Sequence, residues 1–391
     1  MDNLINREEK IFFQTYKRLH IEIDHATGAR IFDKSGNSYL DFLGGIAVNA
    51  LGHCHPKTII AIENQIKKYS HVSNYFYQEP QILLAEELKR MTGFERVFFS
   101  NSGTEATDGA MKLCRKWGNQ KGKTNLISFT GGFHGRTYGA LSLMDKPLYK
   151  EGMGPYLEGC KILEFNNVDD LKNNIDDNTT AVFLEFLQGE GGIVSATQDF
   201  IATLNELKNK FDFLIVADEI QSGIGRTGKF LAYEYYDIQP DIVTLAKGIG
   251  GGLPLGAILG KESLNSVWQK GQHGTTYGGN AVACAAGLSV LDELNNGLIE
   301  QVKRVGDYLG KELQKVKQNY PDIISEIRGI GLMRGVLLKI EAALLVEKLV
   351  SKRVITNAAS GKVLRLLPPL IITENEVDEF ISALNQSLSE L

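Results

Sequence analysis

The sequence predicts an α/β protein, with a large domain built on a mostly parallel sheet flanked by helices and a smaller α+β domain after it. Three observations carry this. Residues 213–217 and 242–246 are short apolar runs rich in branched side chains, which is how strands buried on both faces read. Each run is closed by a charged residue, Asp218 in the first and Lys247 in the second. From about Leu298 the texture changes to amphipathic helices and short strands, and residues 363–369 deliver Arg365 on a strand.

In an open α/β sheet the ligand crevice lies beyond the carboxyl ends of the strands, so Asp218 and Lys247 face one site. The glycines Gly250, Gly251 and Gly252 leave room beside the lysine. A pocket amine near a carboxylate is the pairing used with pyridoxal phosphate: the lysine bonds the cofactor covalently and the acid keeps its ring nitrogen protonated. From these two runs alone a plainer reading stays open, in which Asp218 caps a helix and Lys247 is a solvated strand end.

The remaining elements follow in chain order. Residues 16–39 alternate loosely around Gly28 and Gly36, as strands joined by turns do. Residues 44–49 read as a flexible apolar loop. His53 and His55 flank Cys54, but no second cluster at metal spacing accompanies them, so the stretch predicts a turn before a helix near Pro56. After the apolar run 97–99, Ser102 and Glu105 make a capping box, and the helix N-terminus they start leaves backbone N–H groups free for a phosphate.

A strand over 125–129 leads to the small-residue loop 131–137. There Phe133 offers a face for a planar ring and Arg136 a fork for a carboxylate. The run 181–184 ends on Glu185 and opens the glycine-rich turn holding Glu190. Gly223, Gly225 and Gly228 imitate a nucleotide-binding loop, but Phe230 stands where that loop needs Ser or Thr for magnesium. Thr275 and Thr276 precede a small-residue helix from Ala281 to about Leu294 and offer hydroxyls to a further anion site.

Composition narrows the function classes. The chain has 391 residues, a formal net charge of −5 and no basic surplus for nucleic acid or an anionic membrane. No apolar run approaches membrane-span length, and Met1 to Lys10 lacks a signal-type core, which predicts a cytoplasmic chain. Cys54, Cys114, Cys160 and Cys284 are scattered without paired spacing, as reduced thiols are.

Taken together these motifs resemble the class III aminotransferases of pyridoxal phosphate fold type I, most closely the acetylornithine branch of that family. The resemblance covers nearly the whole chain, and the stretches 44–53, 73–81 and 244–248 match especially closely. It implies that Lys247 carries the cofactor, Asp218 contacts the ring nitrogen, Gln221 the ring hydroxyl, Glu219 and Ile220 line the ring between those two contacts, and Phe133 stacks on the ring. It further implies a phosphate cup of Gly103 and Thr104, completed by Thr276 of the other subunit of a homodimer.

For substrate, the resemblance implies that Arg136, with Thr275 of the other subunit, holds the carboxylate remote from the reacting amine. Arg365 holds the α-carboxylate of glutamate or 2-oxoglutarate, and Glu190 neutralises Arg365 when that carboxylate is absent. The implied reaction moves the δ-amino group of N2-acetylornithine to 2-oxoglutarate, a step of arginine biosynthesis. Ornithine, succinylornithine and 4-aminobutyrate are the competing donors. Outside the family, the alternatives are a nucleotide-binding protein using residues 223–229 and a catalytically silent scaffold.

Three departures stand out: Thr107 replaces the usual Asn, Phe186 the usual Pro, and Thr275 the common Ser. The expected division is 1–50 as a segment serving the small domain and the site entrance, 51–295 as the large domain, and 296–391 as the small domain.

Overall fold

The computed structural model describes residues 4–391, so the sequence reading of Met1 to Lys10 falls partly outside it. Its centre is a seven-stranded sheet. In chain order the strands are β1 (Arg96–Ser100), β2 (Asn125–Phe129), β3 (Cys160–Leu163), β4 (Thr179–Leu184), β5 (Leu214–Asp218), β6 (Ile242–Leu245) and β7 (Gly256–Gly260). In space they run β1-β7-β6-β5-β4-β2-β3. All neighbours pair in parallel except at β7, which lies antiparallel to both β6 and β1.

The central strands read as apolar runs because they are covered on both sides. Every residue of β2, β4, β5, β6 and β7 is buried, and two apolar clusters fill the layers above and below the sheet. The parallel register matters for the site. Asp218 pairs with Thr244, so β5 and β6 end almost level and place Asp218 and Lys247 at the same edge.

A second, antiparallel sheet of four strands contains Ile324–Ile330, Met333–Leu338, Val363–Leu366 and Asn357–Ala359 in that spatial order. It carries Arg365 opposite Gly335 and Asn357, as the sequence reading of that strand expected. A third sheet joins the chain's two ends: Ile23–Thr27, Arg30–Asp33 and Ser38–Asp41 form a meander, and Val354–Ile355 pairs in parallel with its last strand.

The stretch 44–49, expected as a flexible loop, is instead a tight turn. Asp41 accepts N–H bonds from Leu43 (2.9 Å) and Gly44 (2.8 Å) and bonds His53 at 2.9 Å. A Cβ on Gly44 would lie 2.7 Å from the Leu367 carbonyl oxygen, so the turn presses directly on the chain after Arg365. The turn bends left-handed through Ile46, at φ 62°. For a β-branched residue that costs on the order of 1 to 3 kcal/mol.

The loop resembling a nucleotide cradle turns inward. Arg226 is buried and donates to the carbonyl oxygens of Leu332 (3.3 Å) and Pro368, fastening the loop to the antiparallel sheet. Its glycines serve close packing: a Cβ on Gly225 would meet Leu294 at 2.7 Å. Among the described residues no helix is long and apolar enough to cross a membrane.

Candidate active site

Beyond the carboxyl ends of β5 and β6 lies a cavity of about 400 Å³. Its wall includes Gly103, Thr104, Phe133, Arg136, Ile220 and Lys247, which brings six of the expected residues together. Val48, Asn101 and the segment 252–255 also line it; of these the sequence reading had assigned a part beside the lysine only to Gly252.

Lys247 opens a short 3-10 turn at φ 50°, and its amine has no hydrogen-bond or ion-pair partner among the described residues. The nearby acid does not claim it because Asp218 is already engaged. His134 Nδ1 lies 2.7 Å from one Asp218 oxygen, and the Ile220 N–H donates to the other at 3.1 Å. Burial pushes the Lys247 amine below the usual lysine range, against the opposing pull of Asp218 and Glu185. A neutral amine is a nucleophile, so this is the state that attacks a carbonyl.

His134 was missed by the sequence reading. Burial alone would disfavour its charged form, but the bond and charge of Asp218 outweigh this and raise its pKa. With His134 on one oxygen and the Ile220 N–H on the other, the Asp218 carboxyl is held in a fixed orientation. The signal available in sequence was only that His134 follows Phe133 in a loop after a buried strand.

The helix Gly103–Asn119 starts as expected, and Ser102 Oγ accepts from the Glu105 N–H at 3.4 Å. The reciprocal half of the box differs. Glu105 accepts from the backbone and side-chain nitrogens of Asn101, at 2.6 and 2.8 Å, and so tightens the turn one residue earlier. Gly103 must be glycine here, since a Cβ would approach Ile220 to 2.9 Å. The Thr104 hydroxyl accepts from the N–H groups of Arg136 (3.0 Å) and Thr137 (3.1 Å) and meets the Thr137 hydroxyl at 2.8 Å. A phosphate at this helix end therefore relies chiefly on backbone N–H groups.

The Glu219 carboxylate is engaged by the loop that follows it. Adjacent residues leaving a strand point to opposite faces, so Glu219 faces away from Asp218. Its carboxylate accepts from Ser222 Oγ (2.7 Å), Ala232 N (2.9 Å) and Tyr233 N (2.8 Å), and burial pushes it up to about 7. Its side chain is a brace for the following loop.

At the cavity mouth Arg136 is exposed and has no carboxylate partner among the described residues. Its guanidinium lies 3.5 Å from the centre of the Tyr149 ring and 5.5 Å from that of Phe133. Tyr149 is a second residue that the sequence reading missed. Arg365 is not part of the cavity wall: it is only 1% exposed, donates to Glu190 (2.5 Å), Asn357 (3.1 Å) and Gln221 (3.4 Å), and is near enough for its charge to act on the Lys247 amine.

Thr275 and Thr276 do not reach this chain's own cavity. Thr275 Oγ1 accepts from Asn101 Nδ2 (3.0 Å) and Gly278 N (3.2 Å), while Thr276 is exposed. Their loop is propped by Asn74, which donates to the Thr275 and Gly278 carbonyls, and by Gln81, which donates to Asn74 and Gly279. The motif 73–81 thus presents the threonines outward.

These features fit a phosphorylated aromatic aldehyde. There is a helix N-terminus for the phosphate, an aromatic face in Phe133, a carboxyl oriented by histidine, and an unclaimed amine.

Comparison with known proteins agrees along the whole length. A family described as Aminotransferase class-III matches residues 11–388. The acetylornithine aminotransferase of Caldanaerobacter subterraneus subsp. tengcongensis is 43% identical over 99% of this chain and 100% of its own length. That of Methanocaldococcus jannaschii is 41% identical over 100% of this chain and 99% of its own. Among solved structures, the ornithine aminotransferase of Toxoplasma gondii ME49 superposes with a TM-score of 0.95 at 30% identity, covering 99% of this chain and 94% of that one. The acetylornithine aminotransferase of Elizabethkingia anophelis gives 0.89 at 30% identity, covering 99% and 98%. With a match that leaves out only a few residues at either end and a site equipped for amino transfer, the chain belongs to the class-III aminotransferases.

Proposed function

We propose that this aminotransferase uses pyridoxal phosphate to move the δ-amino group of N2-acetylornithine to 2-oxoglutarate, giving N-acetylglutamate 5-semialdehyde and glutamate in arginine biosynthesis. The observation that carries the reading is the unequal state of the two arginines. Arg136 is open, and Arg365 is neutralised by Glu190 at 2.5 Å. A donor whose reacting carbon bears no carboxylate needs one open arginine for its distal carboxylate and a compensated one beside the reaction.

When bound, pyridoxal phosphate supplies an electrophilic carbonyl and a sink for the electrons left by a departing proton. The chain does the rest. Lys247 would hold the cofactor covalently, and its free amine would carry the proton from the donor carbon. Asp218, oriented by His134, would face the ring nitrogen, Gln221 would meet the ring hydroxyl, and Phe133 and Ile220 would flank the ring. Gly103 and Thr104 hold the phosphate through the helix N-terminus. Arg136 fixes the distal carboxylate of either substrate. Arg365, released by Glu190, takes the α-carboxylate of 2-oxoglutarate in the second half.

The same reading includes a cytoplasmic homodimer with shared sites, in which Thr275 and Thr276 enter the neighbouring cavity. Its support is an apolar surface beside the site: Tyr75 is 93% exposed, Tyr77 99% and Tyr277 62%. Tyr277 lines a further cavity of about 480 Å³ that shares Asn101, Leu253 and Pro254 with the first. Exposed apolar surface of this kind marks a docking face. The pairing of Ser38–Asp41 with Val354–Ile355 supports grouping residues 1–50 with 296–391, around a large unit at 51–295.

The second reading, ornithine as donor, has the Toxoplasma gondii likeness in its favour. Against it stands Ile46, whose apolar side chain offers no hydrogen bond where, by the family resemblance, ornithine aminotransferases place a tyrosine. The test is a panel of N2-acetylornithine, N2-succinylornithine, ornithine and 4-aminobutyrate, each assayed with 2-oxoglutarate. The highest kcat/KM is expected for N2-acetylornithine; a higher value for ornithine overturns the assignment.

A further inference from the structure

Two side chains outside the cavity wall tie together the loops that frame it. Glu185 is the residue just beyond β4 and is buried. One of its oxygens accepts from the Phe133 N–H at 2.9 Å and the other from the Gly189 N–H at 3.2 Å. One carboxylate thus bridges the loop carrying Phe133 and Arg136 to the turn carrying Glu190. Three residues on, buried Gln188 makes a second bridge between the same loops, donating to the Thr130 carbonyl at 2.9 Å.

The turn itself is a hairpin tip between Leu187–Gln188 and Val194–Ser195. Glu190 sits in it between two glycines that admit no side chain. A Cβ on Gly189 would lie 2.1 Å from Gln221 Oε1, and one on Gly191 would lie 2.4 Å from Gln188 Oε1. The facing Gly131 is equally close-packed, with Gln188 Oε1 at 3.0 Å from its Cβ position. Backbone meets backbone between Gly191 and Gly131, whose carbonyl oxygen is 2.8 Å from the Gly191 Cβ position, and the Gln188 side chain packs against both.

We propose that Glu185 and Gln188 form a latch that fixes the Glu190 tip against the Phe133 loop, and that the strength of this latch sets how readily Glu190 leaves Arg365. They are positioning residues: they act on substrate choice through Glu190. The proposal rests on the reading above, in which Glu190 alternately covers and frees Arg365. An intact latch favours a donor without an α-carboxylate at the reacting carbon. A loosened latch lets Glu190 withdraw at less cost and favours glutamate. Groups facing Glu185 are Asp218, His134 and Lys247, and burial beside Asp218 pushes its carboxyl up to about 7. Even when protonated, the carboxyl keeps lone pairs for both N–H groups.

The test uses the holoenzyme and three single variants: Gln188→Met, Glu185→Gln and Glu190→Gln. Stopped-flow half-reactions give the ratio of kcat/KM for glutamate to that for N2-acetylornithine, and amide hydrogen exchange of residues 188–192 is followed in parallel. Glu190→Gln is expected to raise the ratio, and Gln188→Met to raise it in the same direction by about three- to tenfold, the worth of one lost hydrogen bond. Exchange at 189–192 is expected to speed up in Gln188→Met. In the Glu190→Gln background, Gln188→Met is expected to leave the ratio unchanged, which a general loosening of the fold would not do.

If Glu190→Gln shifts the ratio while Gln188→Met and Glu185→Gln leave both ratio and exchange as in the parent, the latch is overturned and the switch stands. A ratio unmoved by Glu190→Gln overturns the switch reading itself, and the latch's role in specificity goes with it. Should Glu185→Gln fail to fold, Gln188→Met alone decides.

Discussion

The two ends of the candidate site, one on the cavity wall and one buried behind it, hold the same side chain in opposite conditions. Arg136 lies at the mouth, exposed, stacked on Tyr149 and free of any carboxylate among the described residues. Arg365 lies at the far end, buried, with three acceptors gathered round it. Burial explains the difference, because a guanidinium in water needs no partner and one removed from water does. The mouth therefore suits a group that both substrates share, and the far end a group that only one of them brings. Arginine type alone does not assign a role; its environment does.

The largest effect is expected between the two ends. Lys247→Ala removes the covalent anchor and the proton carrier, so both half-reactions should fall by on the order of a thousandfold or more. Borohydride treatment of the unmodified enzyme should fix the cofactor to Lys247 alone; label on another lysine breaks the assignment. Next, Arg365→Met should divide the half-reactions. Glutamate loses a charge-assisted pair worth about 3 kcal/mol, roughly a hundredfold in kcat/KM, while N2-acetylornithine loses less than about tenfold. Equal losses for both donors, measured by stopped flow, would erase the distinction between the ends.

Tyr149→Ala should act evenly, because the mouth serves both substrates. Loss of a cation–π contact of about 0.5 to 2 kcal/mol predicts a rise in KM of roughly two- to thirtyfold for donor and acceptor alike, with kcat little changed. A selective effect on glutamate would place Tyr149 with the far end instead. The smallest effect is electrostatic. The Arg365 charge helps depress the Lys247 amine, whereas Arg136 does not figure among its influences. Without that cation the ammonium is favoured, so the Lys247 pKa should rise in Arg365→Met and stay put in Arg136→Met. The pH profile of pyridoxal phosphate recombination with cofactor-free enzyme reads this, since only the neutral amine reacts.

Much of this site was legible in the sequence because it depends on local order. A strand that ends on Asp218, another that leads into Lys247, and a glycine turn before a helix each place one group at the crevice by the geometry of the α/β sheet. Arg365 was legible for the same reason, on an apolar strand. What escaped was set by tertiary contact. Nothing in the spacing links His134 to Asp218, Tyr149 to Arg136, or Glu185 to Phe133. Nor does spacing show that the Glu219 carboxylate bonds Ser222, Ala232 and Tyr233, although strand alternation turns its side chain away from that of Asp218. The antiparallel β7 was also unread, because one buried apolar strand looks alike in either direction.

The sheet that joins the two ends of the chain also fixes an order of events. Ser38–Asp41 finds its parallel partner in Val354–Ile355, more than three hundred residues further on. At synthesis rates of roughly 5 to 20 residues per second, the early strand waits some tens of seconds for its neighbour to emerge. Ribosome-bound chains ending before residue 354 should therefore remain open to protease across residues 23–41, and early protection there would contradict this. Asp41, at the end of that strand, orders the left-handed turn pressed against the segment after Arg365. The catalytic end of the cavity is thus completed only when the last tenth of the polypeptide has been made, and a prematurely terminated chain carries its lysine with no finished pocket around it.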